Sequence, residues 1–111
     1  MYKMYINGAF VDSVSKKTRN ILNPATKEVI ATVPEAQIED VNIAVDAARS
    51  AFDGEEWKSK TAQDRQKILF SIAGKIRENF EAFVKLEVEN NGKPIREAEF
   101  DIDDAASCFE F

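Results

Sequence analysis

Histidine is absent from all 111 residues, and that absence excludes more chemistry than any other feature. It removes the commonest general base, every Ser–His or Cys–His nucleophile pair and the usual zinc ligand sets. Cysteine occurs once, at Cys108, so no internal disulfide can form and a reducing cytoplasm is the expected compartment. The four glycines, Gly8, Gly54, Gly74 and Gly92, form no Gly-x-Gly-x-x-Gly spacing and no phosphate-cradling loop. Fifteen basic residues face twenty acidic ones, and a net charge of −5 disfavours nucleic acid or an anionic membrane surface as partner. No apolar run approaches the roughly 20 residues needed to cross a bilayer. Met1-Tyr2-Lys3-Met4 leads straight into a strand pattern, so no secretory leader is expected either.

What is present indicates order. A hydrophobic content of 44% with eight phenylalanines is that of a globular chain, long enough for one domain of ordinary size. Tyr5-Ile6-Asn7-Gly8-Ala9-Phe10-Val11 predicts a tight β-hairpin, because Asn-Gly tolerates the positive φ that a two-residue turn needs. Asp12 to Thr18 is polar and predicts a loop. Asn20-Ile21-Leu22 predicts a short strand, stopped by the turn Asn23-Pro24-Ala25-Thr26, and Val29 to Val33 predicts another, closed by Pro34.

From Ile38 the period becomes helical. Val41, Ala44, Val45, Ala48 and Phe52 form one narrow face of a helix that ends near Gly54, with Glu39 and Asp40 suited to its first turn. Glu55 to Lys60 predicts a connecting loop anchored by Trp57. Thr61 with Asp64 predicts an N-cap for a long helix from Ala62 to Asn91, whose apolar positions are Leu69, Ile72, Ile76, Phe80, Phe83, Val84 and Leu86. Gly74 and Asn79 leave open whether that helix is continuous, kinked or broken. At Asn91-Gly92-Lys93-Pro94 the signals change within four residues. Asn91 and Gly92 can end a helix in the left-handed region, Lys93 brings positive charge to the open carbonyls, and Pro94 forbids continuation. A second amphipathic run follows through Ile95, Ala98, Ile102, Ala105 and Phe109. The chain reaches Phe111 inside that run, with no stop signal and with Phe109 and Phe111 unresolved, so the sequence looks cut short.

Reactive constellations are scarce. Cys108 is the one candidate nucleophile, yet it lies far into an acidic helix beside Glu110 with no base or cation close in sequence, and is expected to be chemically ordinary. Asp103-Asp104 and Glu55-Glu56 are adjacent pairs, which do not face each other on a helix and make poor acid/base partners. The acids after Arg96 (Glu97, Glu99, Asp101, Asp103, Asp104 and Glu110) suggest a solvated face, or one that meets basic residues elsewhere.

The order of the segments carries more than any one of them. Ile6-Asn7-Gly8, Val11, Leu22-Asn23-Pro24-Ala25-Thr26, Glu28-Val29-Ile30 and Val33-Pro34 come first. Asp40-Val41, Ala44-Val45, Ala47-Ala48-Arg49, Ala51-Phe52, Trp57, Arg65 and Leu69 follow. Leu86-Glu87, Asn91-Gly92-Lys93-Pro94-Ile95 and Asp101-Ile102 complete a series that resembles the opening of the aldehyde dehydrogenase superfamily. The nearest subgroup by this resemblance is the one acting on betaine aldehyde, aminoaldehydes or general aliphatic aldehydes.

The resemblance implies an α/β family fold, of which this chain is a mainly α portion: hairpin and short strands over 1–35, then three or four helices over 36–111 that would pack on the nucleotide-binding sheet. It implies NAD- or NADP-dependent oxidation of an aldehyde to a carboxylic acid by a homodimer or homotetramer. In the family a cysteine thiolate attacks the aldehyde, hydride leaves to the nicotinamide and a glutamate activates water. Those groups and the cofactor loop come from segments that follow the part present here, so residues 1–111 contain no catalytic or cofactor-binding residue and are expected to be inactive alone. One site carries over in part: a structural K+ or Na+ held near Ile21, Leu22 and Asn90. Asn90 departs from the family pattern because a neutral amide replaces a carboxylate, and helix capping is its other reading. Gln37-Ile38 also departs, since a short side-chain cap would be expected at that helix start. The alternative to an N-terminal portion of the enzyme is a stand-alone, non-catalytic helical interaction module that uses its acidic last helix and apolar face.

Overall fold

The computed structural model describes residues 2–111. They form two compact units, one of residues up to Leu22 with Val29–Ser59, the other of Asn23–Glu28 with Lys60–Phe111.

The first unit begins with the hairpin. Strands β1 (Met4–Ile6) and β2 (Ala9–Val11) pair antiparallel about Asn7 and Gly8, whose φ angles of 51° and 79° are those the Asn-Gly turn demands. Tyr5 and Phe10 lie opposite each other, their rings edge to face with centroids 5.2 Å apart. Strand β3 (Thr18–Leu22) starts two residues before the predicted strand. It pairs antiparallel with β4 (Val29–Pro34), and the register steps between Ile21, opposite Ala31, and Leu22, opposite Val29. Pro34 sits inside β4, at its end opposite Thr18, where a missing N–H costs little.

Helix α1 (Ile38–Asp53) lacks a short capping residue, and the deficit is met from the opposite side. Asp40, only 3% exposed, accepts from the Gln37 N–H at 2.8 Å through one oxygen and from the Val14 N–H at 2.9 Å through the other. One carboxylate therefore closes the helix start and ties down the loop after β2. Gly54 ends α1 with φ −72°, an ordinary extended conformation, and at once begins a single-turn helix α2 (Glu55–Lys58). The loop expected around Trp57 is therefore helical. Its acidic residues Glu55 and Glu56 stand in the first turn and Lys58 in the last, which suits the helix dipole.

The second unit is helical. Thr61 and Asp64 form the predicted capping box at the start of α3 (Ala62–Glu78): the Asp64 N–H donates to Thr61 Oγ1 at 3.2 Å, and the Thr61 N–H donates to Asp64 Oδ2 at 3.1 Å. Gly74 stays inside α3, and the helix breaks at Asn79 instead. There Nδ2 donates to the Lys75 carbonyl at 2.9 Å, so the amide closes α3 rather than opening the next helix. Helices α4 (Phe80–Asn91) and α5 (Ile95–Glu110) follow. The class is thus the expected one, mainly helical after short antiparallel strands. The single-turn α2 and the break at Asn79 bring the helices to five among the described residues.

Helix α5 packs against α3 and α4. Ala73 on α3 and Ala98 and Ala106 on α5 are fully buried, with Val84 of α4 beside them in burial. Small side chains permit close helix approach, and the residues fully buried in these helices are alanines. Ile76 and Phe80 are half-buried, while Leu69, Ile72, Phe83 and Leu86 stay exposed. In the first unit Val41, Val45 and Phe52 of α1 are all more than half exposed.

Candidate functional site

The corner between α4 and α5 gathers the most specific geometry in the second unit. Gly92 takes φ 77° and ψ 16°, the left-handed cap, and its N–H donates to the Val88 carbonyl at 2.9 Å. Asn91 stabilises the exit from both ends of its amide. Its Oδ1 accepts from the Lys93 N–H at 2.9 Å and its Nδ2 donates to Glu87 Oε1 at 2.6 Å. Pro94 then starts α5, its carbonyl accepting from Glu97 and Ala98.

Lys93 does not serve the helix-end carbonyls as its position suggested. Its Nζ bridges two carboxylates, Glu87 of α4 at 3.2 Å and Asp101 of α5, in contact on its other side. Asp101 first and Glu87 second hold the ammonium above the ordinary lysine range. The carboxylates win because they are full charges, whereas a helix C-terminus offers about half of one.

The Asn23–Glu28 turn belongs to the same unit and lies against this corner. Asn23 Oδ1 accepts from the Ala25 N–H at 2.9 Å and more loosely from Thr26 at 3.3 Å, and Lys27, at φ 64°, returns its N–H to the Asn23 carbonyl. The turn presents the Pro24 ring to Gly92. A Cβ at position 92 would lie 2.9 Å from Pro24 Cγ. Glycine is thus required there for conformation and for space.

A second basic hub joins α3 to α5. Arg77 reaches Glu110 through Nη2 at 2.9 Å and Nε at 3.4 Å, contacts Asp103, and donates to Ser107 Oγ at 3.3 Å. Glu110 chiefly, then Asp103, raise the guanidinium above its ordinary value. Three of the six late acids, Asp101, Asp103 and Glu110, therefore face cations from elsewhere in the chain.

Cys108 is exposed on α5, and no group of three or more His, Cys, Asp or Glu side chains among the described residues could hold a metal. The clefts present are small, and one of about 290 Å³ in the first unit is lined by Asp12, Ser13, Lys16, Lys17, Thr18 and Pro34. One of about 230 Å³ lies along Ser71, Ile72, Lys75, Ile76, Asn79 and Phe83, and one of about 320 Å³ along Val45, Ala48, Arg49 and Phe52. Arg49 in the latter is held by Asp53 at 3.4 Å and stacks over Phe52 at 5.3 Å.

The N-termini of α1 and α3 are closed by Asp40 and Asp64, each a carboxylate in the place that an anion would take at a helix start. Of the residues expected to hold a structural cation, Ile21 and Leu22 end β3 in the first unit, at the step in register, and Asn90 lies exposed in the last turn of α4 in the second. The capping role considered for Asn90 falls to its neighbours Asn91 and Gly92.

What the geometry defines is a set of closed helix ends, a braced corner and a loop after β2 tied to α1. The aldehyde dehydrogenase family model matches residues 10–111, and the chain belongs to that family. It is 44% identical over 112 residues to a chloroplastic betaine aldehyde dehydrogenase of Amaranthus hypochondriacus, covering 98% of this chain and 22% of that relative. It is 47% identical over 98 residues to aldehyde dehydrogenase 1 of Tanacetum cinerariifolium, covering 88% of this chain and 20% of the relative. A crystal structure of betaine aldehyde dehydrogenase from Staphylococcus aureus in complex with NAD+ superposes with a TM-score of 0.95 at 43% identity, covering 99% of this chain and 22% of that one. The chain thus spans about a fifth of the length of the relatives it matches.

Proposed function

We propose that this chain is the N-terminal portion of an NAD(P)-dependent dehydrogenase that oxidises an aldehyde of the betaine, amino- or general aliphatic type to a carboxylic acid, and that it supplies scaffold rather than reacting groups. The observation that carries the reading is the superposition on the NAD+ complex of the Staphylococcus enzyme across 99% of this chain and only 22% of that one. The local geometry supports a structural role, because carboxylates close the starts of α1 and α3 and side-chain amides brace the ends of α3 and α4. The cofactor, when bound to the whole enzyme, accepts the hydride. The residues here contribute the position of the helices on which such a site would be built.

The test is a pair of proteins. A chimera in which this chain replaces the matching segment of the Staphylococcus enzyme is expected to oxidise betaine aldehyde with NAD. The 111-residue chain alone is expected to give neither turnover nor heat of NAD binding by calorimetry. Micromolar NAD binding by the isolated chain, or an inactive but folded chimera, would refute the reading. A cytoplasmic homodimer or homotetramer is the proposed setting for the full-length enzyme.

The proposal extends to a structural K+ or Na+ held by carbonyl oxygens of Ile21 and Leu22 together with Asn90. An all-oxygen, uncharged donor set suits a hard monovalent ion, and the step in β3–β4 register at Ile21/Leu22 is a place where the ladder is locally interrupted. The chimera should melt higher in potassium or sodium chloride than in choline chloride at equal ionic strength. Identical melting in all three salts would remove the ion from the proposal.

The reading as a separate interaction module is less favoured, because three of its six acids, Asp101, Asp103 and Glu110, are already engaged by Lys93 and Arg77.

A further inference from the structure

We draw no further inference here: the strongest candidate, the exposed apolar stripe of α1 formed by Ile38, Val41, Val45 and Phe52, has nothing in the structure to show what covers it.

Discussion

Replacing Gly92 by alanine tests the corner most directly, because two independent costs meet there. The backbone holds φ 77°, where a Cβ costs about 1–2 kcal/mol. The new Cβ would also lie 2.9 Å from Pro24 Cγ, well inside ordinary contact. A proline ring cannot rotate away as a long side chain would, so the turn or the corner must shift. Overpacking of that kind costs about 1–3 kcal/mol. Together Gly92→Ala should lose about 2–5 kcal/mol, a large part of the roughly 5–15 kcal/mol that holds a domain. The two parts can be separated. Pro24→Ala removes Cγ, so in that background Gly92→Ala should cost only the conformational part, and the cycle should show a coupling of about 1–3 kcal/mol. Gly8→Ala is the control for conformation alone, since it has φ 79° and nothing within 4 Å of its added Cβ. Urea unfolding followed by circular dichroism, with hydrogen exchange at the Gly92 N–H, reads all four variants. An unchanged midpoint for Gly92→Ala, or an identical loss with and without Pro24, would refute the reasoning.

Asp40→Asn keeps the shape but leaves one oxygen to serve two amide donors, so either Gln37 or Val14 loses its partner and about 1–3 kcal/mol of stability goes with it. Faster hydrogen exchange at the Val14 N–H is the specific sign, and unchanged exchange there would show that Asp40 only caps the helix. For Asp64, the Thr61 hydroxyl first and its N–H second hold the carboxyl below the ordinary value. A folded-state pKa below the unfolded value of about 3.9 makes the cap's contribution present above that pH and lost as pH falls through the folded pKa. Carbon-13 titration should show the Asp64 midpoint rising toward the ordinary value in Thr61→Ala, and an unmoved midpoint would exclude the hydroxyl as cause.

Signals that act within one helical turn were legible in the sequence. Asn7-Gly8 announced the hairpin, Thr61 with Asp64 the start of α3, and Gly92-Lys93-Pro94 the corner, because each depends on the φ or the hydrogen bonds of its immediate neighbours. Asn79 was ambiguous, since a helix break can be closed by capping either side. The structure shows its amide turned back to Lys75. The partners of Lys93 and Arg77 were not legible: periodicity places charges on a face but does not say which helix lies opposite. The same limit hid Ala73 and Ala106, whose burial follows from close helix approach rather than from side-chain size. Asp40 suited the first turn by sequence, but its second bond, to Val14, crosses from another element.

The last helix shows why its acidity reads differently in isolation and in place. Glu97 and Asp101, and likewise Glu99 and Asp103, stand four apart and repel along one face. Glu110 in the final turn opposes the helix dipole, and no basic residue of α5 stands there to offset it. Alone, such a helix would be a poor one. Arg77 stands in the last turn of α3 and reaches Asp103, Ser107 and Glu110, so the C-terminal ends of α3 and α5 share one cation. Lys93 does the same for the first half of α5, drawing Asp101 toward Glu87 across the corner. Being exposed, these pairs are screened by salt and add little to stability singly. Their effect is on arrangement, because a placement of α5 that turned Asp103 and Glu110 away from α3 would leave Arg77 without those carboxylates and leave the acids of α5 together. The alanine contacts supply the close packing, and the two hubs select which faces meet.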